Sequence, residues 1–413
     1  MRQRYHQVYM FCLLAVLALS MQSCLGIGSN IGSNGSTNFK QATTTSNGTS
    51  IGVNTSDQAI FKGKIYFTLD RNLYVLDGNR NIKQLTHGMD VRDPAVSPDG
   101  KLIAFIVRHD DKNYSDLVYM STSGGPVKIL CTGAGRYINN PPYPAPKSTA
   151  AWYAQPAWAP DSTHLLFLSD FQKDKWDPGV DAFLLDLMVF SISIHDSCPS
   201  QARNVAFASY GDGGDRDPSY RPHHNEVVYT HFAYDSSQTK QVIQILLTNP
   251  DTISTHPQMG YKPGVYEFDP AVALTPATPD LTNMEPTFSP DGNSLAYIRR
   301  QDATHMALYI MRVPDGLTNG LKPTPDIAQK ALAPYQQSSL ILTSLYVSQP
   351  IWSPDGKQIA YLNYTNNVFN IWLVNLSVNA KTGLYTMSNN STPVQLTDAG
   401  GHLNADSRPF WTP

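Results

Sequence analysis

Six polar side chains occupy the same place in a repeated stretch of this sequence, directly before a proline. They are three carboxylates, two amides and one guanidinium: Asp93, Gln155, Asp217, Glu285, Gln349 and Arg408. Carboxylates gathered around one opening focus an electrostatic field that attracts a cation or a basic peptide segment. The alternative interpretation is that these side chains cap strand ends and hydrogen-bond to neighbouring repeats. We predict that they form a candidate binding site at the mouth of a central channel.

The groups that catalysis needs are sparse in this sequence. The sequence holds one Gly-x-Ser-x-Gly pentapeptide, Gly48-Thr49-Ser50-Ile51-Gly52, but it lies in the polar segment before the repeats, so the nucleophile of an α/β-hydrolase is not predicted. The one local histidine cluster is His223, His224 and His231, and its first two members replace the Asp-Gly of a turn. Residues 211–217 are rich in Asp and Gly but lack the ordered ligand spacing of an EF-hand. We therefore predict no catalytic residue, no metal site and no cofactor.

The elements that position the six polar residues are predicted from an internal repeat. Its clearest copies read DPAVSPDGKLIAF, EPTFSPDGNSLAY and QPIWSPDGKQIAY, beginning at Asp93, Glu285 and Gln349. The first prolines of successive copies recur at nearly even intervals along the chain: Pro94, Pro156, Pro218, Pro286, Pro350 and Pro409. Self-similarity at a nearly fixed period is typical of repeat architectures such as propellers.

Each copy of the repeat reads as four short strands. Pro-Asp-Gly supplies a fixed φ, an Asx hydrogen bond and a residue that tolerates positive φ, which together favour a tight hairpin between the first two strands. Alternating stretches such as 102–107 and 117–121 predict the next strands. The aromatic residues two places after the prolines predict packing between units: Trp158, Tyr220, Phe288, Trp352 and Trp411.

The chain ends predict how the repeats close into a circle. The sequence stops at Pro-Phe-Trp-Thr-Pro, the first strand of a unit, whereas residues 63–67 match the second strand of a unit. We therefore predict an all-β fold, a six-bladed β-propeller of four-stranded blades, in which a C-terminal strand completes the N-terminal blade.

The Ser-Pro-Asp-Gly units with their preceding aromatic residue resemble the repeats of TolB-type six-bladed β-propellers, also called WD40-like or PD40 repeats. The resemblance covers the chain beyond Gln58 and is specific for the fold. TolB-type proteins are periplasmic and act with the Tol-Pal system, and they carry an α/β domain before the propeller. Here a polar segment stands in that place.

The N-terminal segment, up to Gln58, predicts export and anchoring. A basic start and an apolar run predict a signal peptide over residues 1–23, and Met21-Gln22-Ser23-Cys24 resembles a bacterial lipoprotein signal in which Cys24 is lipidated. The alternative is an ordinary signal peptide with a chance cysteine. In Leu25–Gln58, 23 of 34 residues are Ser, Thr, Asn or Gly, so residues 24–58 are predicted to be a disordered tether before a propeller over 59–413.

Composition limits the classes of partner. The net charge of -3 gives no basic face, so nucleic acid is not an expected partner. Cys131 and Cys198 lie in neighbouring repeats, and the sequence leaves open whether they pair. We predict an exported, monomeric envelope protein, bound to the membrane by its lipid, that recognises a protein, peptide or glycan through propeller loops or the channel mouth. The alternative is an extracytoplasmic lyase or hydrolase with its site at that mouth.

Overall fold

The computed structural model describes residues 39–413 except for 45–47, 136–149, 172–185, 207, 209–212, 236, 238, 253–270, 280, 321–322 and 390. The predicted signal peptide and Cys24 lie outside the described residues, as do most of residues 133–154 and 255–279, two long stretches of sequence between predicted strands. Within the described part of the chain, no helix is long and apolar enough to cross a membrane.

The chain is an all-β propeller, and most of its sheets contain four strands in chain order. Sheet 1 contains β28 (Phe410–Thr412), β3 (Lys64–Leu69), β4 (Asn72–Asp77) and β5 (Ile82–Gln84). Sheet 2 contains β6 (Val91–Val96), β7 (Leu102–His109), β8 (Tyr114–Ser121) and β9 (Lys128–Cys131). Sheet 3 contains β10 (Tyr153–Trp158), β11 (His164–Ser169), β12 (Met188–Ser193) and β13 (Arg203–Ala206).

The second half of the propeller repeats this arrangement. Sheet 4 contains β14 (Asp215–Tyr220), β15 (Val227–Tyr234), β16 (Gln241–Thr248) and β17 (Val272–Ala273). Sheet 5 contains β18 (Asn283–Phe288), β19 (Ser294–Arg300), β20 (Met306–Arg312) and β21 (Ser339–Ser344), and a short helix, α1 (Pro325–Leu332), precedes β21. Sheet 6 contains β22 (Val347–Trp352), β23 (Gln358–Thr365), β24 (Val368–Val378), β25 (Tyr385–Met387) and β26 (Val394–Gln395).

The first strands of these sheets form the inner wall of the propeller. They contact one another in a closed circle, in the order β28, β6, β10, β14, β18 and β22. Strand β28 pairs antiparallel with β3, with Phe410 opposite Tyr66 and Trp411 opposite Ile65. The last strand of the chain therefore lies in the same sheet as the strands that begin at Lys64.

The part of the chain that the structure describes forms seven sheets, so the prediction of six blades was wrong. Sheet 7 has three strands, β1 (Phe39–Thr44), β2 (Ser50–Asn54) and β27 (Thr397–Asp398). The prediction of a disordered tether was therefore wrong for Phe39–Thr44 and Ser50–Asn54, which form strands. Ile51 and Val53 are buried at 0% and 1% exposure in a cluster that includes Leu396 and Ala399. Two apolar residues in a polar segment form no recognisable pattern, and their burial depends on a partner strand near the opposite end of the sequence.

The aromatic residues that follow the repeat prolines pack between sheets, as predicted. Trp158, Phe288, Trp352 and Trp411 are all buried, and Tyr220 is half-buried. The indole of Trp158 donates to the Ala95 carbonyl of the preceding sheet at 2.9 Å, which satisfies the polar end of a buried ring. The same device recurs where the Trp352 indole donates to the Thr287 carbonyl at 3.1 Å.

The Ser-Pro-Asp-Gly segments form the predicted hairpin turns. In sheet 2 the Ser97 hydroxyl donates to Asp99 at 2.6 Å and accepts from the Leu102 backbone N–H at 3.0 Å. Gly100 has φ of 71°, a conformation that glycine adopts without strain. Arg221 replaces this serine in sheet 4, where its fully buried guanidinium binds Glu226 at 2.8 Å and Asp315 at 2.6 Å. The turn aspartates Asp99, Asp161, Asp291 and Asp355 each accept backbone N–H groups of their own turn, so their role there is structural.

A disulfide bond joins Cys131 to Cys198, with the two Cα atoms 5.0 Å apart. Cys131 ends the outer strand of sheet 2, and Cys198 lies between β12 and β13 of sheet 3. The bond therefore links the peripheries of two neighbouring sheets, a pairing that the sequence left undecided.

Candidate functional site at the mouth of the propeller

Five of the six predicted site residues share an unusual backbone conformation. The φ angles of Asp93, Gln155, Asp217, Glu285 and Gln349 lie between 47° and 56°. In each first strand the register with the second strand shifts at this residue and the proline after it, which defines a β-bulge. For a residue other than glycine, this left-handed backbone conformation costs about 1 kcal/mol or more of conformational free energy. The side chains must therefore make compensating interactions, and the hydrogen bonds described next provide them.

Asp93 connects three sheets through its carboxylate. One oxygen accepts from the Arg408 backbone N–H at 2.9 Å, and the other accepts from the Gln155 backbone N–H at 3.2 Å. The Asp93 backbone N–H itself donates to the Ser407 hydroxyl at 2.8 Å. Asp93 thus joins sheet 2 to the strand on each side of it.

Gln155 and Asp217 continue this chain of contacts. The Gln155 side chain donates to Asp217 Oδ1 at 2.9 Å and accepts from the Asp217 backbone N–H at 2.6 Å. The second oxygen of Asp217 accepts from the Thr230 hydroxyl at 3.1 Å, and this hydroxyl accepts from the Glu285 backbone N–H at 3.0 Å. The Glu285 carboxylate accepts from the backbone N–H of Gln349, its neighbour in sheet 6.

We call these six residues the mouth ring: Asp93, Gln155, Asp217, Glu285, Gln349 and Arg408. The structure brings them together around the circle of first strands. Their hydrogen bonds to neighbouring sheets agree with the structural alternative given above, and the ring holds three carboxyl groups against one guanidinium. Thr230 and Ser407 also take part, and the sequence analysis missed both. Thr230 stands where the other copies of the repeat have Ile or Leu, and the position of Ser407 varies in residue type among the copies.

Burial changes the acidity of two ring carboxyls. Burial raises the pKa of Asp93, while hydrogen bonding from Arg408 and the positive charge of Arg408 oppose the rise. Burial also raises the pKa of Glu285, to about 8, and the negative charge of Asp217 adds to the effect. A proton is therefore held more tightly at Glu285 than at an exposed glutamate.

An apolar surface adjoins the ring on the side of sheet 6. Leu345 and Tyr346, in the turn before β22, are exposed at 61% and 49%. The Tyr346 ring lies 5.3 Å from that of Phe369, which lies 5.0 Å from that of Tyr364 at the end of the β23–β24 hairpin. Tyr346 lies three residues before Gln349 of the mouth ring, and burial and then the negative charge of Glu285 raise the pKa of its phenol. We call Leu345, Tyr346, Tyr364 and Phe369 the mouth patch.

The remaining polar clusters match the sequence interpretation only in part. His223 and His224 lie in the turn of sheet 4, where they were predicted. His231 lies in β15 and pairs with the buried Asp215 at 2.8 Å, so it is separate from them. Within the described ranges, no group of three or more His, Cys, Asp or Glu residues could hold a metal ion.

No family model and no curated protein matches this chain by sequence. Solved structures do match it. TolB from Acinetobacter baumannii is similar with a TM-score of 0.50 and 15% identity, covering 86% of this chain and 67% of that one. A structure described as TolB from Agrobacterium tumefaciens has a TM-score of 0.44 and 14% identity, covering 85% of this chain and 99% of that one.

An enzyme is also among the similar structures. An oligogalacturonate lyase in complex with manganese has a TM-score of 0.43 and 14% identity, covering 84% of this chain and 82% of that one. One fold can host unrelated functions, so these likenesses concern architecture alone. The fold of this chain is that of a TolB-like β-propeller.

Proposed function

We propose that this chain is a non-catalytic binding scaffold of the bacterial cell envelope, anchored through a lipid on Cys24. Its ligand is a protein, peptide or glycan that binds at the mouth ring and the loops around it. The observation that carries this proposal is the mouth patch, because exposed leucine and tyrosine side chains beside a polar ring are typical of binding surfaces.

The bonding within the ring supports a scaffold rather than a reaction centre. The carboxylates of Asp93 and Asp217 each accept hydrogen bonds on both oxygens, and their donors belong to neighbouring strands. Such carboxylates hold a rigid rim in place. A rigid rim lowers the entropy that is lost when a ligand binds, which favours recognition by the side chains above it.

One observation favours the second candidate, an extracytoplasmic lyase or hydrolase. A carboxyl whose pKa is raised to about 8, as for Glu285, is suited to donate or accept a proton near neutral pH. The two candidates differ in turnover. A purified chain that releases product from an envelope glycan, and loses this activity in Glu285→Gln, would support the enzyme.

The scaffold proposal is tested by capture from solubilised envelope with the purified full-length chain. Leu345→Ser with Tyr346→Ser removes the exposed part of the mouth patch, and Ile129→Ser is the matched control because Ile129 is 62% exposed on the outer strand β9. We expect the double variant to capture at least about tenfold less ligand than the wild type, because one interface hot spot contributes about 2 kcal/mol to the free energy of binding. Equal capture by the double variant and the control would contradict a ligand at this patch.

Anchoring is tested separately by detergent partitioning. Cys24→Ala removes the thiol that would carry the lipid, so the variant should leave the detergent phase or accumulate as unprocessed precursor. Unchanged partitioning would contradict lipidation and leave ligand binding at the mouth unaffected.

A further inference from the structure

The propeller has two ends, which the direction of its first strands defines. Each first strand begins beside the mouth ring and runs to the hairpin turn that follows it, as β6 runs from Val91 to the Ser97 turn. Strand β28 runs the same way, and its Thr412 pairs with Lys64 at the start of β3. We call the end that holds these turns, opposite the mouth ring, the turn side.

The N-terminal hairpin of β1 and β2 opens toward the turn side. At its closed end the Thr49 hydroxyl donates to Asp70 Oδ2 at 2.7 Å, and Asp70 follows β3 at the mouth side. At its open end Phe39 pairs with Asn54. Because the two strands are antiparallel, Phe39 lies at the end of the hairpin that points away from the mouth.

The proposed lipid site is close to that end of the hairpin in sequence. Only the 14 residues 25–38 separate Cys24 from Phe39. A chain of that length spans at most about 50 Å. A lipid on Cys24 therefore holds the membrane within that distance of the start of β1. This step rests on the proposed function, because lipidation of Cys24 belongs to it.

Exposed lysines gather on the turn side of sheets 1 and 6. Two lie at the start of β3, one lies in β5, one precedes β23 and one follows β24: Lys62, Lys64, Lys83, Lys357 and Lys381. Among the described residues none of these five forms an ion pair, whereas Lys101 in the turn of sheet 2 pairs with Asp99 at 3.1 Å. Their charges are therefore available to a partner from outside the chain.

The carboxylates of this region do not balance the lysines. Six basic side chains stand against three acidic ones in the stretches 55–64, 77–83, 353–358 and 376–384. Two of the three acids are held by their own turns. Asp77 accepts from the Asn81 backbone N–H at 2.9 Å, and Asp355 accepts from the Ser353 hydroxyl at 2.7 Å. The turn side of sheets 1 and 6 therefore carries an excess of positive charge.

This charge lies on the side of the propeller that carries the N-terminal hairpin. Ile51 of the hairpin shares a buried cluster with Ile65 of sheet 1 and Leu373 of sheet 6. The equivalent turns of sheets 3 and 5, residues 159–164 and 289–294, contain one aspartate each and no lysine. The excess of lysine and the start of β1 therefore belong to the same part of the molecule.

Two exposed apolar side chains lie among the lysines. Ile60 is 55% exposed and Val378 is 52% exposed. The Gln358 side chain donates to the Ile60 carbonyl at 2.9 Å and to the Asn375 side chain at 2.7 Å, three residues before Val378. Apolar side chains set among lysines are typical of surfaces that lie on anionic bilayers.

We propose that the turn side of sheets 1 and 6 binds the anionic phospholipid headgroups of the membrane that holds the lipid anchor. We call the five lysines, Ile60 and Val378 the membrane patch. The lysine ammonium groups attract the headgroup phosphates, and each contributes about fivefold to binding. The two apolar side chains enter the headgroup layer, where their exposed area leaves water.

This orientation deepens the proposed function of the mouth. The mouth ring lies at the other end of the first strands and holds three carboxyl groups against one guanidinium. An anionic surface therefore attracts the membrane patch and not the ring. The mouth patch is then directed away from the bilayer, where a ligand of the envelope can reach it.

The proposal is tested by cosedimentation of residues 38–413 with lipid vesicles. This part of the chain forms one compact unit that contains every sheet, so it folds without the segment before it. It lacks Cys24, so a failure of lipidation leaves the result unchanged. We expect binding at least about tenfold stronger to phosphatidylcholine vesicles with about 30% phosphatidylglycerol than to phosphatidylcholine alone. Raising sodium chloride from about 50 to about 500 mM should weaken this binding at least about tenfold.

Charge variants locate the binding surface. Changing Lys62, Lys357 and Lys381 together to glutamine should weaken binding about 100-fold, because three contributions of about fivefold are lost. The same three lysines changed to arginine keep the charge and should bind as the wild type does. The matched control removes three exposed bases from the hairpins of the mouth side and should also bind as the wild type does: Lys112→Gln, Lys240→Gln and Arg300→Gln.

An apolar variant and a labelling arm complete the test. Ile60→Ser should weaken binding several-fold, and Leu340→Ser is its control, because Leu340 is 51% exposed on the outer strand β21. In the full-length chain on the same anionic vesicles, a membrane-impermeant amine reagent should modify Lys62 and Lys357 more slowly than in detergent, and Lys112 at an equal rate. Equal binding to both vesicle types, equal losses in the two glutamine triple variants, or protection of Lys112 instead of Lys62 would overturn the proposal.

Discussion

The pH dependence of stability should report the proton held at Glu285 in the mouth ring. Burial, and then the charge of Asp217, raise the pKa of this carboxyl from 4.5 to about 8. The folded chain therefore binds a proton between these pH values that the unfolded chain releases. The resulting stabilisation is complete below about pH 4.5 and is lost as the pH rises through about 8. One pKa unit corresponds to about 1.4 kcal/mol, so the loss for this group is a few kcal/mol.

Glu285→Gln removes the titration and keeps an oxygen that can accept from the Gln349 backbone N–H. We expect this variant to match the wild type near pH 5 and to exceed its free energy of unfolding by a few kcal/mol at pH 8. Urea denaturation at pH 5, 6, 7 and 8 measures the difference. Asp398→Asn, which removes an exposed carboxylate on β27, is the control and should follow the wild type. Parallel curves for Glu285→Gln and the wild type at every pH would refute the reasoning.

Three further predictions concern how the propeller is held together. Trp411→Ala should lower the free energy of unfolding by about 3 to 5 kcal/mol, because it empties a buried site on the strand that pairs with β3; a loss below about 1 kcal/mol by urea denaturation would contradict the importance of that strand. Val53→Asp should destabilise the chain by at least about 2 kcal/mol, since it places a charge in the cluster under sheet 7, and an unchanged melting temperature would show that β2 does not pack there. Replacing Cys131 and Cys198 by serine opens a loop with a sequence separation of 67 residues and should cost about 4 kcal/mol, and equal urea midpoints for the two forms would contradict a disulfide in the folded chain.

The sequence predicts the features of the fold that depend on short stretches of chain. Ser-Pro-Asp-Gly specifies its turn through contacts between near neighbours, so the Ser97 turn could be predicted from the local sequence alone. Trp158 and Trp352 recur in register with the prolines, and their burial follows from that repetition. The membership of the mouth ring follows from pseudo-symmetry, because equivalent positions in a circular repeat must lie around one axis.

Two features of the fold, the pairing of β2 with β27 and the disulfide bond, do not follow the repeat and could be recognised only in the tertiary structure. Strand β2 is buried only because β27 presents an edge to it, and the sequence holds no local sign of that pairing. The disulfide required two non-equivalent positions of neighbouring sheets to meet.

The mouth patch likewise depended on the tertiary structure. Leu345 and Tyr346 are ordinary residues in a sequence, and their exposure becomes informative only beside Phe369 and the ring. Periodic residues revealed the scaffold because repetition encodes it, whereas the candidate binding surfaces arise where single residues from distant segments meet.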